Sequence, residues 1–161
     1  MKRNHITLLF GFALVILTGI ASTAQVSDAD HKAVAEVIGG KDWAGFSITP
    51  SAGMPDGKLS MIRELYISLA ADNSISGRGY IKVNLGGRLY TCRTMISGRW
   101  NAPALTIHLD ERVSDGDSLP GGMYWQNASE NLTIYKDIDR PGMFVLKGTV
   151  SDGGKATYHQ K

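Results

Sequence analysis

Apolar and polar residues alternate along most of the chain beyond residue 40, and Gly, Asn, Asp and Pro interrupt this alternation at short intervals. A period of two is typical of half-buried β-strands, and the interrupting residues favour turns. The pattern predicts strands at 43–49, 59–70, 75–85, 88–100, 105–111, 123–126, 132–138, 143–150 and 156–160. Because nearly all the links are short, we expect neighbouring strands to form hairpins in an antiparallel meander.

Such a meander leaves two unpaired edges unless its first and last strands meet. We therefore expect an all-β, single-domain, up-and-down barrel of about eight strands that is closed or nearly closed. One short helix should precede it at residues 27–38, with Ser27 as a favourable N-cap and Gly39 and Gly40 at its end. Its apolar stripe consists of Ala33, Val34, Val37 and Ile38.

The turn at Gly86 and Gly87 sets the register of one hairpin. Two-residue hairpin turns need positive φ at their central residues, which glycine adopts without steric cost. One face of this hairpin, which we expect to point inward because it is apolar, carries the pairs Leu85/Arg88, Val83/Tyr90, Ile81/Cys92, Gly79/Thr94 and Gly77/Ile96. Cys92 is therefore expected to be a small buried side chain rather than a nucleophile, and a slip by one residue would reverse this.

Two further loops also predict the register of a hairpin. They are 101–104, which would place Trp100 opposite Leu105, and 140–142, which would place Ile138 opposite Phe144. The second register turns Lys136 inward, so either this lysine reaches a rim or the register is wrong. The inner side chains expected from these hairpins are Tyr90, Ile96, Trp100, Leu105, Ile107, Leu109 and Phe144.

The N-terminus has the three parts of a secretory signal peptide. Two basic residues precede an apolar run at 6–20, and small residues follow at 22–24. The run is too short and too often interrupted for a membrane span. We therefore expect residues 1–24 to be removed and residues 25–161 to form one domain, which is secreted, or periplasmic if the source is bacterial.

The net charge gives no general attraction for nucleic acid or membranes. The chain has 17 Lys and Arg against 15 Asp and Glu, and Lys2 and Arg3 belong to the expected signal peptide. The mature domain would therefore be balanced in charge. Cys92 is the only cysteine, so no disulfide within the chain can stabilise the fold.

A basic cluster lies on the face of the first hairpin that is predicted to point outward. This basic outer face consists of Arg78, Tyr80, Lys82, Arg93 and Arg99. Tyr80 would lie opposite Arg93, where a cation–π contact is allowed. Either neighbouring strands neutralise these charges, or the face binds an acidic protein or an anionic envelope polymer. Nucleic acid fits less well, because the face has one aromatic residue on which to stack bases.

The sequence carries no clear motif for a metal or for catalysis. The histidines of the mature domain are isolated, and the segment 115–117, Asp-Gly-Asp, is better explained by a turn than by calcium binding. No G-x-S-x-G nucleophile elbow occurs. We expect no metal and no cofactor, and a small hydrolase is the least favoured alternative.

A short helix, a tryptophan at the first strand (Trp43) and a run of antiparallel hairpins resemble the layout of lipocalin-like and avidin-like barrels. The resemblance is one of architecture over the whole mature chain. It extends to no functional residue, because the segment 40–43 is one residue longer than the lipocalin G-x-W motif.

A barrel of about eight strands is either filled by side chains or holds one small ligand. We expect a non-enzymatic binding protein that holds a small, at least partly apolar molecule in its interior, near Tyr90, Trp100 and Phe144. The alternative is a protein-binding module, such as an inhibitor or an immunity-like protein, that docks on an acidic partner through the basic outer face.

Overall fold

The computed structural model describes residues 28–50 and 58–161. The predicted signal peptide and the expected helix cap Ser27 lie outside these residues. Within them the chain forms one helix, α1 (Asp28–Ile38), followed by eight strands. The strands are β1 (Lys41–Pro50), β2 (Lys58–Leu69), β3 (Ser74–Leu85), β4 (Arg88–Asn101), β5 (Thr106–Gly116), β6 (Ala128–Lys136), β7 (Phe144–Val150) and β8 (Lys155–Gln160).

The eight strands form a closed antiparallel barrel in which each strand pairs with its neighbours in sequence and β1 pairs with β8. This confirms the predicted all-β up-and-down barrel with one preceding helix. Where β1 meets β8, the Cβ of any residue other than glycine at Gly45 would overlap the carbonyl oxygen of Thr157. Glycine therefore lets the two ends of the sheet approach closely enough to close the barrel.

The segment 123–126, predicted to be a strand, belongs instead to the connection between β5 and β6. β5 runs on to Gly116, beyond its predicted end, and the connection folds back onto it. The indole Nε1 of Trp125 donates a hydrogen bond to the carbonyl of Asp117 at 2.8 Å. A side chain thus anchors this segment in place of a strand ladder, and the strand prediction is wrong here.

The β3–β4 hairpin has the predicted register, with Leu85 opposite Arg88. Gly86 and Gly87 both have positive φ, at 59° and 83°. Cys92 points inward and is buried, as expected. Burial raises the pKa of its thiol to about 11, so the thiol stays protonated at neutral pH.

The β4–β5 hairpin is shifted by two residues from its predicted register. Trp100 lies opposite Ile107 rather than Leu105. Leu105 forms part of the turn, with a φ of 52°, and its backbone N donates to the carbonyl of Ala102 at 3.0 Å. Leu105 is therefore exposed rather than inward, and β5 begins at Thr106. A shift of two residues preserves the faces of the strand, so Ile107 still points inward.

The β6–β7 hairpin is also shifted by two residues. Lys136, rather than Ile138, lies opposite Phe144. Asp137 ends the pairing, because its carboxylate accepts a hydrogen bond from the backbone N of Asp139 at 3.1 Å and starts a turn. Ile138 is exposed, so the prediction that it points inward is wrong. Lys136 is exposed at the end of β6, and of its two predicted explanations the wrong register is confirmed.

Helix α1 covers the end of the barrel at which β1, β3, β5 and β7 begin. Its buried residues Val34 and Ile38 join the core. His31 packs edge-on against Trp100, with ring centroids 5.9 Å apart. The barrel residues of this core are Trp43, Leu65, Ile67, Ile75, Ile96, Trp100, Ile107, Leu109, Leu132, Ile134, Leu146, Val150, Ala156 and Tyr158. We call the opposite end of the barrel, where the β3–β4 turn lies, the mouth.

Candidate functional site

The mouth opens into a cavity of about 630 Å³, which we call the mouth cavity. This volume lies within the range of roughly 300–1,000 Å³ that is common for small-molecule sites. Most of its walls are apolar and come from β2, β3 and the β5–β6 connection. These residues are Leu59, Met61, Ile81, Val83, Leu85, Leu119, Met123, Tyr124 and Trp125.

Arg63 lines the mouth cavity and is held by two buried carboxylates. It points inward from β2 and is only 3 % exposed. Its Nη1 donates a hydrogen bond to Glu130 Oε1 and lies 3.7 Å from Glu111 Oε2. Both glutamates are buried. One guanidinium group therefore faces two carboxylates inside the barrel.

Two hydroxyl groups extend this arrangement. Tyr158 donates its hydroxyl to both carboxylate oxygens of Glu130, at 2.8 and 2.9 Å. Thr94 Oγ1 donates to Glu111 Oε1 at 2.7 Å. We call Arg63, Thr94, Glu111, Glu130 and Tyr158 the floor cluster. Its members come from β2, β4, β5, β6 and β8, so the floor cluster connects most of the strands of the barrel.

Burial and neighbouring charges shift the pKa values of three members of the floor cluster. Burial tends to lower the pKa of Arg63, but Glu111, Tyr158 and Glu130 together raise it above its ordinary value. Burial raises the pKa of Tyr158, and Glu130 raises it further. Burial also raises the pKa of Glu130, against the opposing effect of Arg63. At neutral pH, Arg63 is therefore a cation and Tyr158 a neutral phenol.

Several polar atoms near the floor have no hydrogen-bond partner among the described residues. They are Ser47 Oγ, Thr49 Oγ1, Arg63 Nε and Glu111 Oε2. Thr49 and Arg63 line the mouth cavity itself. Because buried polar groups nearly always have a partner, this region suits either the polar group of a ligand or ordered water.

The floor cluster is not among the predicted site residues. Its signal in the sequence is the position of its charges, since Arg63 follows Met61 and precedes Leu65 on the inward face of β2. Glu111 likewise follows Leu109 on the inward face of β5. A charged residue in a run of apolar inward positions requires a buried partner.

The predicted ligand-binding residues Tyr90, Trp100 and Phe144 do not line the mouth cavity. Tyr90 is buried near the mouth, with the guanidinium of Arg88 5.0 Å from its ring centroid. Trp100 and Phe144 lie at the end that α1 covers, where Trp100 contacts His31. The structure does not bring the three residues together in one cavity, and their role in binding stays a prediction.

The basic outer face contains an aromatic contact that differs from the one allowed by the sequence. Tyr80 lies opposite Arg93, as predicted. The ring of Tyr80, however, packs edge-on against Tyr66 of β2, with centroids 5.9 Å apart. Arg78 supplies the cation–π contact, with its guanidinium 5.2 Å from the centroid of Tyr66. Tyr66 lies on β2, outside the β3–β4 hairpin whose register predicted the contact between Tyr80 and Arg93.

The charges of the basic outer face are neutralised in part. Lys82 Nζ lies 3.3 Å from a carboxylate oxygen of Glu64, and Lys161 Nζ lies 3.5 Å from the same atom. Although burial tends to raise the pKa of Glu64, these two lysines lower it. Within residues 28–50 and 58–161, no ion pair forms at Arg78, Arg93 or Arg99.

Asp137 lies at the end that α1 covers and makes two contacts with basic side chains. It accepts hydrogen bonds from His159 Nδ1 at 3.1 Å and from Arg140 Nε at 2.9 Å. The bond from His159, followed by the bond from Arg140, holds the pKa of Asp137 at about 2. A carboxyl with a pKa lowered by folding stabilises the fold above its unfolded pKa, and that stabilisation is lost as the pH falls through the folded pKa.

We therefore expect the free energy of unfolding to decrease between about pH 4 and about pH 2, and Asp137→Asn to remove part of this decrease. Urea unfolding at several acidic pH values measures the effect. Asp139→Asn, in the same loop, is the matched control and should retain the wild-type pH dependence. An unchanged acid dependence in Asp137→Asn would contradict the assignment.

In the part of the chain that the structure describes, no three His, Cys, Asp or Glu side chains converge as metal ligands would. None of the described helices has the length and apolar character needed to cross a membrane. No protein-family model matches the chain, and no curated protein matches its sequence.

Proposed function

We propose that this protein is a non-enzymatic binding protein that holds one small, partly apolar molecule in the mouth cavity. The observation that carries this proposal is a cavity of about 630 Å³ with mostly apolar walls and a few polar lining groups, among them Thr49 and the buried, hydrogen-bonded Arg63. Sites for small molecules combine a largely apolar lining with a few fixed polar groups that orient the ligand. The N-terminal sequence favours action outside the cytoplasm, by secretion or in the periplasm.

The floor cluster supports binding rather than catalysis. Its carboxylates already accept hydrogen bonds from neighbours, Glu130 from Tyr158 and Glu111 from Thr94. A general acid or base must instead be free to exchange a proton with a substrate. The floor cluster is better suited to hold a fixed pattern of donors and acceptors beneath an apolar molecule.

The hairpin turn at the mouth offers a matched pair of leucines for a test. Leu85 lines the mouth cavity, whereas Leu89 is exposed on the outer face of the same hairpin. Leu85→Glu places a carboxylate in the apolar wall and should weaken binding of the neutral probe N-phenylnaphthylamine by roughly tenfold or more. Fluorescence titration measures this affinity.

Leu89→Glu adds the same charge outside the cavity and should leave the affinity unchanged. Equal loss in both variants, or no probe binding to the wild-type protein, would refute the proposed site.

The second candidate function is docking of an acidic protein or an anionic polymer on the basic outer face. The guanidinium groups of Arg78 and Arg93, which form no ion pair with the residues that the structure describes, favour it. The double variant Arg78→Glu and Arg93→Glu separates the two proposals. It should leave probe binding in the mouth cavity intact, while it would abolish docking of an acidic partner.

A further inference from the structure

We propose that the mouth cavity selects a molecule whose polar group donates a hydrogen bond and carries no negative charge, such as an alkylamine or an alkanol, and that it discriminates against carboxylates. This inference rests on the proposed function and deepens it by naming the class of ligand. It is carried by the charges of the floor cluster and by the unpartnered polar atoms of Thr49 and Arg63, which line the cavity.

Arg63 lines the cavity, and the carboxylates that it contacts, which are not among the described lining residues, outnumber it. Glu111 and Glu130 share the single guanidinium of Arg63, and all three side chains are buried. Asp152 adds a further carboxylate to the lining, and Arg63 is the one cationic side chain among the described lining residues. An anionic ligand would bring another negative charge into a region of low dielectric, where like charges repel strongly.

Arg63 is not available to an anionic ligand as a free cation. Its Nη1 is bonded to Glu130, and Glu111 lies on the same side of the guanidinium. Its Nε is buried and has no hydrogen-bond partner among the described residues. A carboxylate that approached Nε would gain one hydrogen bond and would also be repelled by two buried carboxylates.

A group that donates a hydrogen bond, in contrast, finds an unpartnered acceptor in the lining of the cavity. Thr49 Oγ1, in the lining of the cavity, is buried and has no hydrogen-bond partner among the described residues. Glu111 Oε2 lies 3.7 Å from Arg63 Nη1, beyond hydrogen-bond distance, and Glu111 contributes its charge from outside the lining. A hydroxyl could donate to Thr49 Oγ1 and accept from Arg63 Nε, and an ammonium group could donate to Thr49 Oγ1 and offset the excess negative charge of the floor cluster.

Three ligands with the same alkyl chain and different head groups test the inference. Octylamine, octanol and octanoate, titrated at neutral pH in competition with N-phenylnaphthylamine, present a cation, a neutral hydroxyl and an anion. We expect octylamine and octanol to bind at least roughly tenfold more tightly than octanoate. The difference in affinity between octylamine and octanol shows whether the charge of the head group or its hydrogen bonds contribute more.

Glu111→Gln provides the second measurement. Glutamine can still accept the hydrogen bond from Thr94, and the substitution removes the negative charge. It should raise the affinity for octanoate and narrow the ratio between octylamine and octanoate. Asp110→Asn is the matched control, since Asp110 is the adjacent residue and points outward. It should leave that ratio unchanged. If Glu111→Gln fails to fold, the ranking of the three ligands on the wild-type protein decides alone.

The outcomes separate this inference from the proposed function. If octanoate binds as tightly as octylamine and octanol, the inference is overturned and the proposed function still stands. Ordered water would then supply the hydrogen bonds of the unpartnered buried atoms. Loss of discrimination in Asp110→Asn as well as in Glu111→Gln would also overturn it. Failure of all three ligands and of the neutral probe would overturn the proposed function itself.

Discussion

Replacing Arg63 with methionine is expected to lower the free energy of unfolding by about 3–5 kcal/mol. Methionine fills much of the space of arginine but leaves the buried carboxylates of Glu111 and Glu130 without their cation. A buried charge that loses its partner keeps the cost of desolvation and loses the compensating attraction. Urea unfolding at neutral pH measures the change, which should appear as a lower midpoint with a similar slope.

A fully apolar version of the floor cluster is the matched control. Adding Thr94→Val, Glu111→Leu, Glu130→Leu and Tyr158→Phe to Arg63→Met removes every charge and both hydroxyl groups that would be left unpaired. Buried ion pairs replaced entirely by apolar residues are often as stable as the original. We expect this variant to recover most of the lost stability and to lose the ranking of octylamine, octanol and octanoate. Wild-type stability in the single Arg63→Met variant would contradict the assignment of an ion-paired floor.

Trp43→Ala is expected to lower the free energy of unfolding by about 3–5 kcal/mol, through loss of packing. Trp43 is fully buried in the core beneath α1 and pairs with Leu65 across β1 and β2. Its indole Nε1 has no hydrogen-bond partner among the described residues, so the change removes packing without removing a hydrogen bond. Urea unfolding provides the measurement.

Tyr124→Ala serves as the control for Trp43→Ala. Tyr124 is 72 % exposed, so its truncation should change the free energy of unfolding by no more than about 0.5 kcal/mol. A loss of less than about 1 kcal/mol in Trp43→Ala would show that the helix-covered end of the barrel is not the well-packed core described above.

The barrel could be predicted from the sequence because local rules determine much of it. Alternation assigns the faces of each strand, and a two-residue glycine turn allows only one register, as at Gly86 and Gly87. For the two hairpins with longer loops, the predicted strand pairing differs from the observed pairing by two residues. Alternation cannot detect such a shift, since it leaves every side chain on the same face. The positive φ of Leu105 and the turn begun by Asp137 decide these registers, and neither follows from hydrophobic pattern.

The floor cluster was harder to predict for a different reason. Alternation alone places Arg63 and Glu111 at inward positions, which indicates that each needs a buried partner. Their meeting depends on the stagger of β2, β5 and β6 around a closed barrel, because β2 is not a neighbour of the other two strands. The mouth cavity depends in turn on the β5–β6 connection, whose residues 123–126 carry strand-like alternation but fold as a loop.

Amide chemical-shift mapping tests most directly whether a small, partly apolar molecule binds inside the mouth of the barrel. Octylamine titrated into the isotope-labelled protein should shift the resonances of Val83, Met123 and the Trp125 indole, which line the cavity. The resonances of Tyr66 and Arg78 on the outer surface should stay in place. Shifts confined to Tyr66, Arg78 and their neighbours, or no shifts at saturating ligand, would contradict the account.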